Sequence, residues 1–452
     1  MKFTDAFGIE KGAVVSLIGA GGKTSLLVGI GYELAEAGWR VLAAATVPVP
    51  EEQLSLFPAA LHAETDPATV SRTLSEVRFV VLHGGIVRKR ALAVDPGLLD
   101  ALLDRIDSDV MLVEADTAAG LPLKAPHNGE PQLPKATTLV IPVASFAAVG
   151  QALNDENVYN AQAMIDRCGF PLNGSIRPSW IAQVIRDEQL GMSGVPRGVR
   201  TIAFFNQTPM TPYNRVRARI AAKIALRHST LHAVALGEVR GHEPVREVQR
   251  PVGAVVLAAG MSTRMGQPKQ LLPWRDNRTI IEHIVEQLIK ARVDPIVVVT
   301  GHNAKEVKAV LAPWDVTVVN NRAYKTGEML SSLKTGLAAM PAHTAAALMV
   351  LGDQPALQTR VVNRIVLTHA EAQHELIVPS YDMRRGHPVL IGRRYWNEII
   401  SLGPSTTPRV FFDRFADHIH YVEIDNDSIL RDIDTPQDYD RDRGIDRGER
   451  RR

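Results

Sequence analysis

The chain is poor in the features that mark several large classes of protein. Cys168 is the only cysteine among 452 residues. That excludes an internal disulfide, a thiolate zinc site and an iron–sulfur cluster, and it fits a reducing, cytoplasmic setting. No stretch approaches the ~20 apolar residues of a membrane span; the run at 137–150 is too short and contains Pro142. The N-terminal segment carries Asp5, Glu10 and Lys11 and lacks the apolar centre of a signal peptide. A formal net charge of +2 supplies no concentrated basic face of the kind nucleic acid requires. Aromatics are sparse, but the hydrophobic share of 45% is that of an ordinary globular protein. The length predicts two or three domains.

What the chain does have is an alternation of short apolar runs with amphipathic stretches, the pattern of parallel sheets flanked by helices. The pattern starts twice. Residues 13–18 predict a strand, followed by a glycine-rich loop, a helix over 25–37 and a strand over 41–45. Residues 252–258 predict a strand, followed by a second glycine-containing loop, a helix over 279–292 and a strand over 296–300. Between them, residues 239–251 read as a polar, unpatterned linker. The expected organisation is therefore a domain at 1–247, a domain at 248–440, and a disordered Arg- and Asp-rich tail at 441–452.

The second loop, LAAGMSTRMGQPK at 257–269, follows a buried strand with small residues and two cations. Small residues around Ala259-Gly260 let backbone amides approach phosphate oxygens, while Arg264 and Lys269 add positive charge. Farther on, an apolar strand at 347–351 ends in Gly352-Asp353. This sets a carboxylate beside the expected phosphate loop, suited to Mg²⁺, which prefers carboxylate and phosphate oxygens. A helix cap is the alternative role for Asp353, and also for Ser331 and Ser332 ahead of an expected helix at 333–339.

These strings resemble the MobA-like nucleotidyltransferases, and within them the molybdenum-cofactor cytidylyltransferases. The likeness runs in order through the loop, NNRAYKTGEMLSSLKTGL at 320–337, MVLGDQPAL at 349–357, Gly386-His387-Pro388, and DIDTPQDY at 432–439. It implies a Rossmann-like, GT-A-like α/β domain. It implies nucleotide contacts from Leu257, Ala258, Ala259, Gly260, Arg264, Lys269, Ser332 and Asp353, with Arg264, Lys269 and Asp353 catalytic. Mg²⁺ would sit on Asp353 and Asp434, the latter competing with a role as helix cap. Ala259 and the Gly-His-Pro string resemble the cytidylyl type, so CTP is the expected substrate and molybdopterin the expected acceptor. A phosphomonoester is already largely ionised near neutrality, its second pKa being ~6, so no general base is required and none is assigned to His387. One departure concerns the acceptor side, where Gly403-Pro404-Ser405-Thr406-Thr407-Pro408-Arg409 replaces the family's G-D-x-G-x-R string.

The first loop reads SLIGAGGKTS at 16–25. Gly22, Lys23 and Thr24 supply the end of a P-loop: amides at a helix N-terminus, a lysine for phosphate and a hydroxyl for Mg²⁺. Leu17 stands where the full pattern has glycine. An apolar run at 109–115, with Glu114 inside it, leads to Asp116, the expected metal-linked carboxylate. This half resembles the selenium-dependent hydroxylase accessory (YqeC-like) family through residues 18–24 and VEADTAAGLPLKAPHNGEPQLP at 113–134, with Thr117 in place of a glycine. The resemblance implies a P-loop-like parallel α/β domain binding a second NTP at Gly22, Lys23, Thr24 and Asp116.

The expectation is thus a two-domain α/β enzyme that transfers CMP from CTP to molybdopterin and releases pyrophosphate. Its first domain would be an NTP-binding accessory serving a (selenium-dependent) molybdenum hydroxylase client. GMP transfer, a sugar- or polyol-phosphate acceptor, and a non-catalytic cofactor carrier or chaperone are the alternatives.

Overall fold

The computed structural model describes all residues except 209–210, 228–229, 262–264, 327, 404–405 and 450–452, and the backbone alone at 328 and 444–449. The chain divides into two compact units, Met1–Gln249 and Arg250–Arg452.

The first unit is built on a nine-stranded sheet. From one edge the order is Val245–Gln249, Ala233–Gly237, Arg200–Asn206, Leu139–Ser145, Val14–Gly19, Val110–Glu114, Val41–Ala45, Phe79–His83 and Ala59–His62. Every pairing is parallel except that of the edge strand Val245–Gln249 with Ala233–Gly237. Central strands such as Val110–Glu114 are buried along their whole length, as expected where helices cover both faces. The helix Lys23–Glu36 begins two residues earlier than its amphipathic pattern suggests, directly at the glycine loop.

The edge strand corrects the reading of 239–251 as a linker. Val245, Val248 and the charged Glu247 are all buried, and Arg219 Nε meets Glu247 Oε2 at 2.8 Å. Pairing lets a carboxylate occupy an inward position that a hydropathy pattern treats as solvent-facing.

The second unit carries a sheet in the order Thr317–Asn320, Ile296–Thr300, Val252–Ala258, Ala346–Leu351, Val389–Gly392, Leu376–Tyr381 and Arg384–Arg385, with His420–Glu423 parallel to Leu376–Tyr381. The first four strands are mutually parallel, and Val389–Gly392 joins antiparallel. Val252–Ala258 lies between strands that follow it in the chain, so its carboxyl end is a topological switch point, where open α/β sheets bind ligands. The helix Ile280–Lys290 is started by a capping box between Thr279 and Glu282.

One further expectation is corrected here. The helix carrying Ser331 and Ser332 spans Glu328–Ala338 rather than starting at 333, so neither serine is its cap. The last helix runs over Pro436–Glu449, past the expected domain end at 440. Asp438 and Arg441 pair one turn apart on it at 3.2 Å, and Asp442 is buried, which gives the charged sequence internal partners and an anchored face.

Buried histidines make the second unit sensitive to acid. Burial lowers His369 from its ordinary 6.5 to about 4, and His283 likewise to about 4. His369 Nδ1 donates to the His374 carbonyl at 2.8 Å. With a depressed folded pKa, the unfolded chain takes up more protons, so stability is complete above pH 6.5 and is lost as pH falls toward 4. We expect urea midpoints to drop across this window, and His369→Gln to drop less steeply than wild type. Parallel pH profiles for the two proteins would count against neutral burial of His369.

Candidate functional site

The C-terminal site is assembled at the carboxyl ends of Val252–Ala258 and Ala346–Leu351. Gly352 makes the join close: its amide donates to Leu257 O at 3.0 Å, and a Cβ there would stand 2.7 Å from the same oxygen. Asp353 thereby emerges beside the loop that begins at Ala259. Lys269, mostly buried at the end of that loop, points back at the carboxylates. Its Nζ lies 2.5 Å from Asp434 Oδ1 and 3.4 Å from Asp353 Oδ2. Three residues that come from distant parts of the chain therefore meet at one ammonium.

The segments bearing the two aspartates are tied independently of that ammonium. The amide of Ile433 donates to Asp353 O at 2.9 Å, and Gln354 Nε2 donates to Asp432 Oδ1 at 2.5 Å. Neither aspartate serves as a helix cap. The helix after Asp353 is entered at Gln358, and the last helix is started by Thr435, whose hydroxyl and amide both donate to Asp438 Oδ2 at 2.8 and 2.9 Å. Asp434 is left with its carboxylate toward Lys269. Burial pushes the Asp353 carboxyl above the ordinary carboxylate range, partly offset by Lys269.

Ser332 is buried, and Asn321 Nδ2 donates to its Oγ at 3.0 Å and to Ser331 Oγ at 2.7 Å. Gly336 lets this helix close on the sheet, since a Cβ there would meet Val255 Cγ1 at 2.2 Å. Leu257, Ala258, Ala259 and Gly260 form the strand end and the start of the loop. Gly260 has open space around it, and Ala259 O lies against Gly301. Arg264 lies outside the described residues. Burial lowers His387 to about 4, so its ring is neutral at physiological pH. Sequence reasoning gave no role to Gln354, Asp432 or Asn321, although all three lie inside strings already singled out; what makes them matter is spatial pairing.

Among the described residues no group of three or more His, Cys, Asp and Glu is arranged as a metal site. The donor chemistry is nonetheless of a kind that suits a hard cation: two carboxylates converge on one ammonium, and Mg²⁺ takes few protein ligands beside phosphates and water.

In the first unit, Gly22 precedes the helix Lys23–Glu36 with φ 123° and no side-chain cap. Lys23 Nζ donates to Gly19 O at 2.8 Å and lies 3.2 Å from Asp116 Oδ1. Thr24 Oγ1 donates to Glu114 Oε2 at 2.8 Å, so the carboxylate beside this hydroxyl is Glu114, not Asp116. Lys124 and Glu130, members of a recognised string but given no role, complete the cluster at 2.8 Å.

Residues 254–418 match the MobA-like NTP transferase domain, and residues 15–162 match the YqeC protein family. The chain is 31% identical over 190 residues to the molybdenum cofactor cytidylyltransferase of Escherichia coli K12, covering 42% of this chain and 93% of that protein. The chain belongs to the MobA-like NTP transferases. It is a nucleotidyltransferase, and it carries a YqeC domain ahead of the transferase domain. It is also 32% identical to nicotine blue oxidoreductase of Paenarthrobacter nicotinovorans, covering 41% of this chain and 92% of that one. With the uncharacterized YqeC of Escherichia coli K12 the identity is 28%, over 52% of this chain and 91% of that protein. A solved nucleotidyl transferase from Methanothermobacter is 28% identical, with a TM-score of 0.38 and coverage of 43% and 96%. No helix among the described residues is long and apolar enough to cross a membrane.

The raised pKa of Asp353 carries a sign. Its contribution to stability is complete below the unfolded value near 3.8 and is lost as pH rises through the folded value. In EDTA, Asp353→Asn should therefore melt above wild type at pH 7, with the difference closing toward pH 3. Added Mg²⁺ or Mn²⁺ should raise the melting temperature of wild type through binding to the folded state, and leave the variant unmoved. Equal stabilisation of both proteins by the ion would remove Asp353 from the cation site.

Proposed function

We propose that the second unit transfers CMP from CTP to molybdopterin with release of pyrophosphate. We further propose that the first unit binds an NTP at Gly22, Lys23 and Thr24 and assists maturation of a molybdenum hydroxylase, selenium-dependent or not. The observation that carries the reading is the convergence of Asp353, Asp434 and Lys269 on one point at the sheet's switch point, at 3.4 and 2.5 Å. The similarity to a molybdenum cofactor cytidylyltransferase on one side and to YqeC on the other supports it.

The difficulty of the reaction is electrostatic, since an ionised phosphomonoester must approach an anionic triphosphate. Lys269 is poised to move from the two aspartates to the phosphate oxygens, and the amides of Ala259 and Gly260 provide uncharged donors beside it. Asp353 and Asp434, released from Lys269, would hold Mg²⁺, which when bound neutralises charge developing on the phosphates and leaving group. Ser332, held by Asn321, fixes the helix edge on the nucleotide side. Ala259, small and close to Gly301, leaves room for the base and favours the cytidylyl reading. Arg264 is proposed as a further phosphate contact. Since the acceptor is already ionised, His387 serves the pocket rather than proton transfer.

The similarity to nicotine blue oxidoreductase motivates a second reading, an oxidoreductase on the same fold. Both are tested in one experiment: pyrophosphate release measured with each of four NTPs and molybdenum-loaded molybdopterin, alongside NAD(P)H oxidation. The transferase reading expects release with CTP alone, and losses of at least about 10²-fold in Asp353→Ala and Lys269→Ala. Release with GTP instead would change the nucleotide. No release with any NTP, together with nicotinamide oxidation, would transfer support to the redox reading.

A further inference from the structure

The N-terminal loop has the form of a phosphate cradle, and a side chain of the protein already occupies it. Gly19 and Gly21 adopt φ of 91° and 81°, and a Cβ at either would collide with Val143 O at 2.2 Å or Ser145 Cβ at 2.4 Å. Asn206 Nδ2 braces the loop by donating to Gly21 O at 2.8 Å. The backbone is thus fixed with a helix N-terminus at the loop and no capping side chain on its first amides.

Into this site projects Asp116, whose carboxylate is about 4% exposed. Its Oδ2 accepts from the Gly19 amide at 2.8 Å and lies 3.0 Å from Lys124 Nζ, while its Oδ1 faces Lys23 Nζ at 3.2 Å without a formed hydrogen bond. Both lysine side chains are only 3% exposed. One backbone amide and two buried ammoniums around a pair of oxygens is the environment of a bound phosphate group. Each ammonium has a second acidic partner, Glu114 at 3.7 Å from Lys23 and Glu130 at 2.8 Å from Lys124, which also donates to Thr117 O at 2.6 Å, so neither depends on Asp116 alone.

The geometry points to Asp116 as an internal phosphate surrogate: a nucleoside triphosphate binds the loop by displacing this carboxylate and taking over Lys23 and Lys124. The inference rests on the reading of the first unit as an NTP site, and it gives Asp116 the opposite sign from a metal-linked carboxylate. A ligand carried by Asp116 would bind less well without it. A ligand that competes with Asp116 binds better, because the apparent affinity of a site open only part of the time is reduced by that fraction. It also makes Lys124, far from the glycine loop in sequence, a phosphate-binding residue.

The test is calorimetric titration of MgATP, and of inorganic tripolyphosphate, into the full chain as wild type, Lys23→Ala, Asp116→Asn and Lys124→Ala. The component abolished by Lys23→Ala defines the N-terminal site and separates it from the transferase site. We expect Asp116→Asn to tighten that component by about tenfold or more, for both probes, and Lys124→Ala to weaken it by a similar factor. Weaker or unchanged binding in Asp116→Asn overturns the surrogate role while leaving the NTP site standing. Absence of any Lys23-dependent component defeats the NTP reading itself. Should Asp116→Asn not fold, the Lys124→Ala titration decides, because a lysine acting only as a brace leaves nucleotide affinity unchanged.

Discussion

A buried ammonium needs a negative partner, and that constraint shapes both loops of this protein. Moving an unpaired charge out of water costs several kcal/mol even after relaxation, and breaking a buried pair costs ~3–5 kcal/mol. Lysines that are to meet phosphates must therefore be held by something else while the phosphates are absent. Lys269 is held by Asp353 and Asp434, Lys23 by Asp116 and Glu114, and Lys124 by Asp116 and Glu130. The carboxylates keep the cations folded inward and, under the proposed nucleotide binding, set the competition that an incoming anion must win.

The backbone determines where that competition takes place. In each sheet the strand that begins the pattern is flanked by strands following it in the chain, Val110–Glu114 and Leu139–Ser145 around Val14–Gly19, and Ile296–Thr300 and Ala346–Leu351 around Val252–Ala258. Parallel pairing sends all their carboxyl ends the same way, so the acidic residue just past a neighbouring strand arrives beside the loop without any long-range design. Asp353 stands two residues beyond its strand, as does Asp116 beyond its own. The same architectural rule is used twice with different loop chemistry, which is why no sequence repeat is visible.

How much of this the amino-acid sequence revealed depended on whether a feature was local. Strands 41–45, 252–258 and 296–300 coincide with their apolar runs because turn residues bound them sharply. The strand Val245–Gln249 was invisible because its inward Glu247 is made tolerable by Arg219, a partner distant in sequence. The helix Glu328–Ala338 starts inside a polar stretch, ahead of the first apolar position that a periodic pattern would pick out. Asp434 was caught between two roles, and the decisive signal was present in the string itself: Thr435 with Asp438 three residues on is a capping pattern, which assigns the cap elsewhere. The clustering of Lys124, Glu130 and Asp116, by contrast, follows from chain reversal between 116 and 131 and carries no periodic signature.

The two sites also differ in how firmly their acidic groups are set. At the transferase site the carboxylates do not depend on Lys269 for their position. Ile433 donates to Asp353 O, Gln354 to Asp432, and the Thr435–Asp438 box starts the final helix, so the two segments are stitched by neutral or local contacts on either side of Asp434. On the proposed reading, moving the ammonium to a substrate leaves the pair of aspartates in register for a different cation. That is what pre-organisation requires: charges fixed by the scaffold in advance, with no reorganisation left for the moment of reaction. At the N-terminal loop the carboxylate is instead bonded to the Gly19 amide that frames the loop, so the group that leaves under the proposed displacement and the frame that stays are in contact. Scaffold-held acids suit a site that exchanges one cation for another, whereas a loop-held acid suits a site that opens only when something more strongly charged arrives.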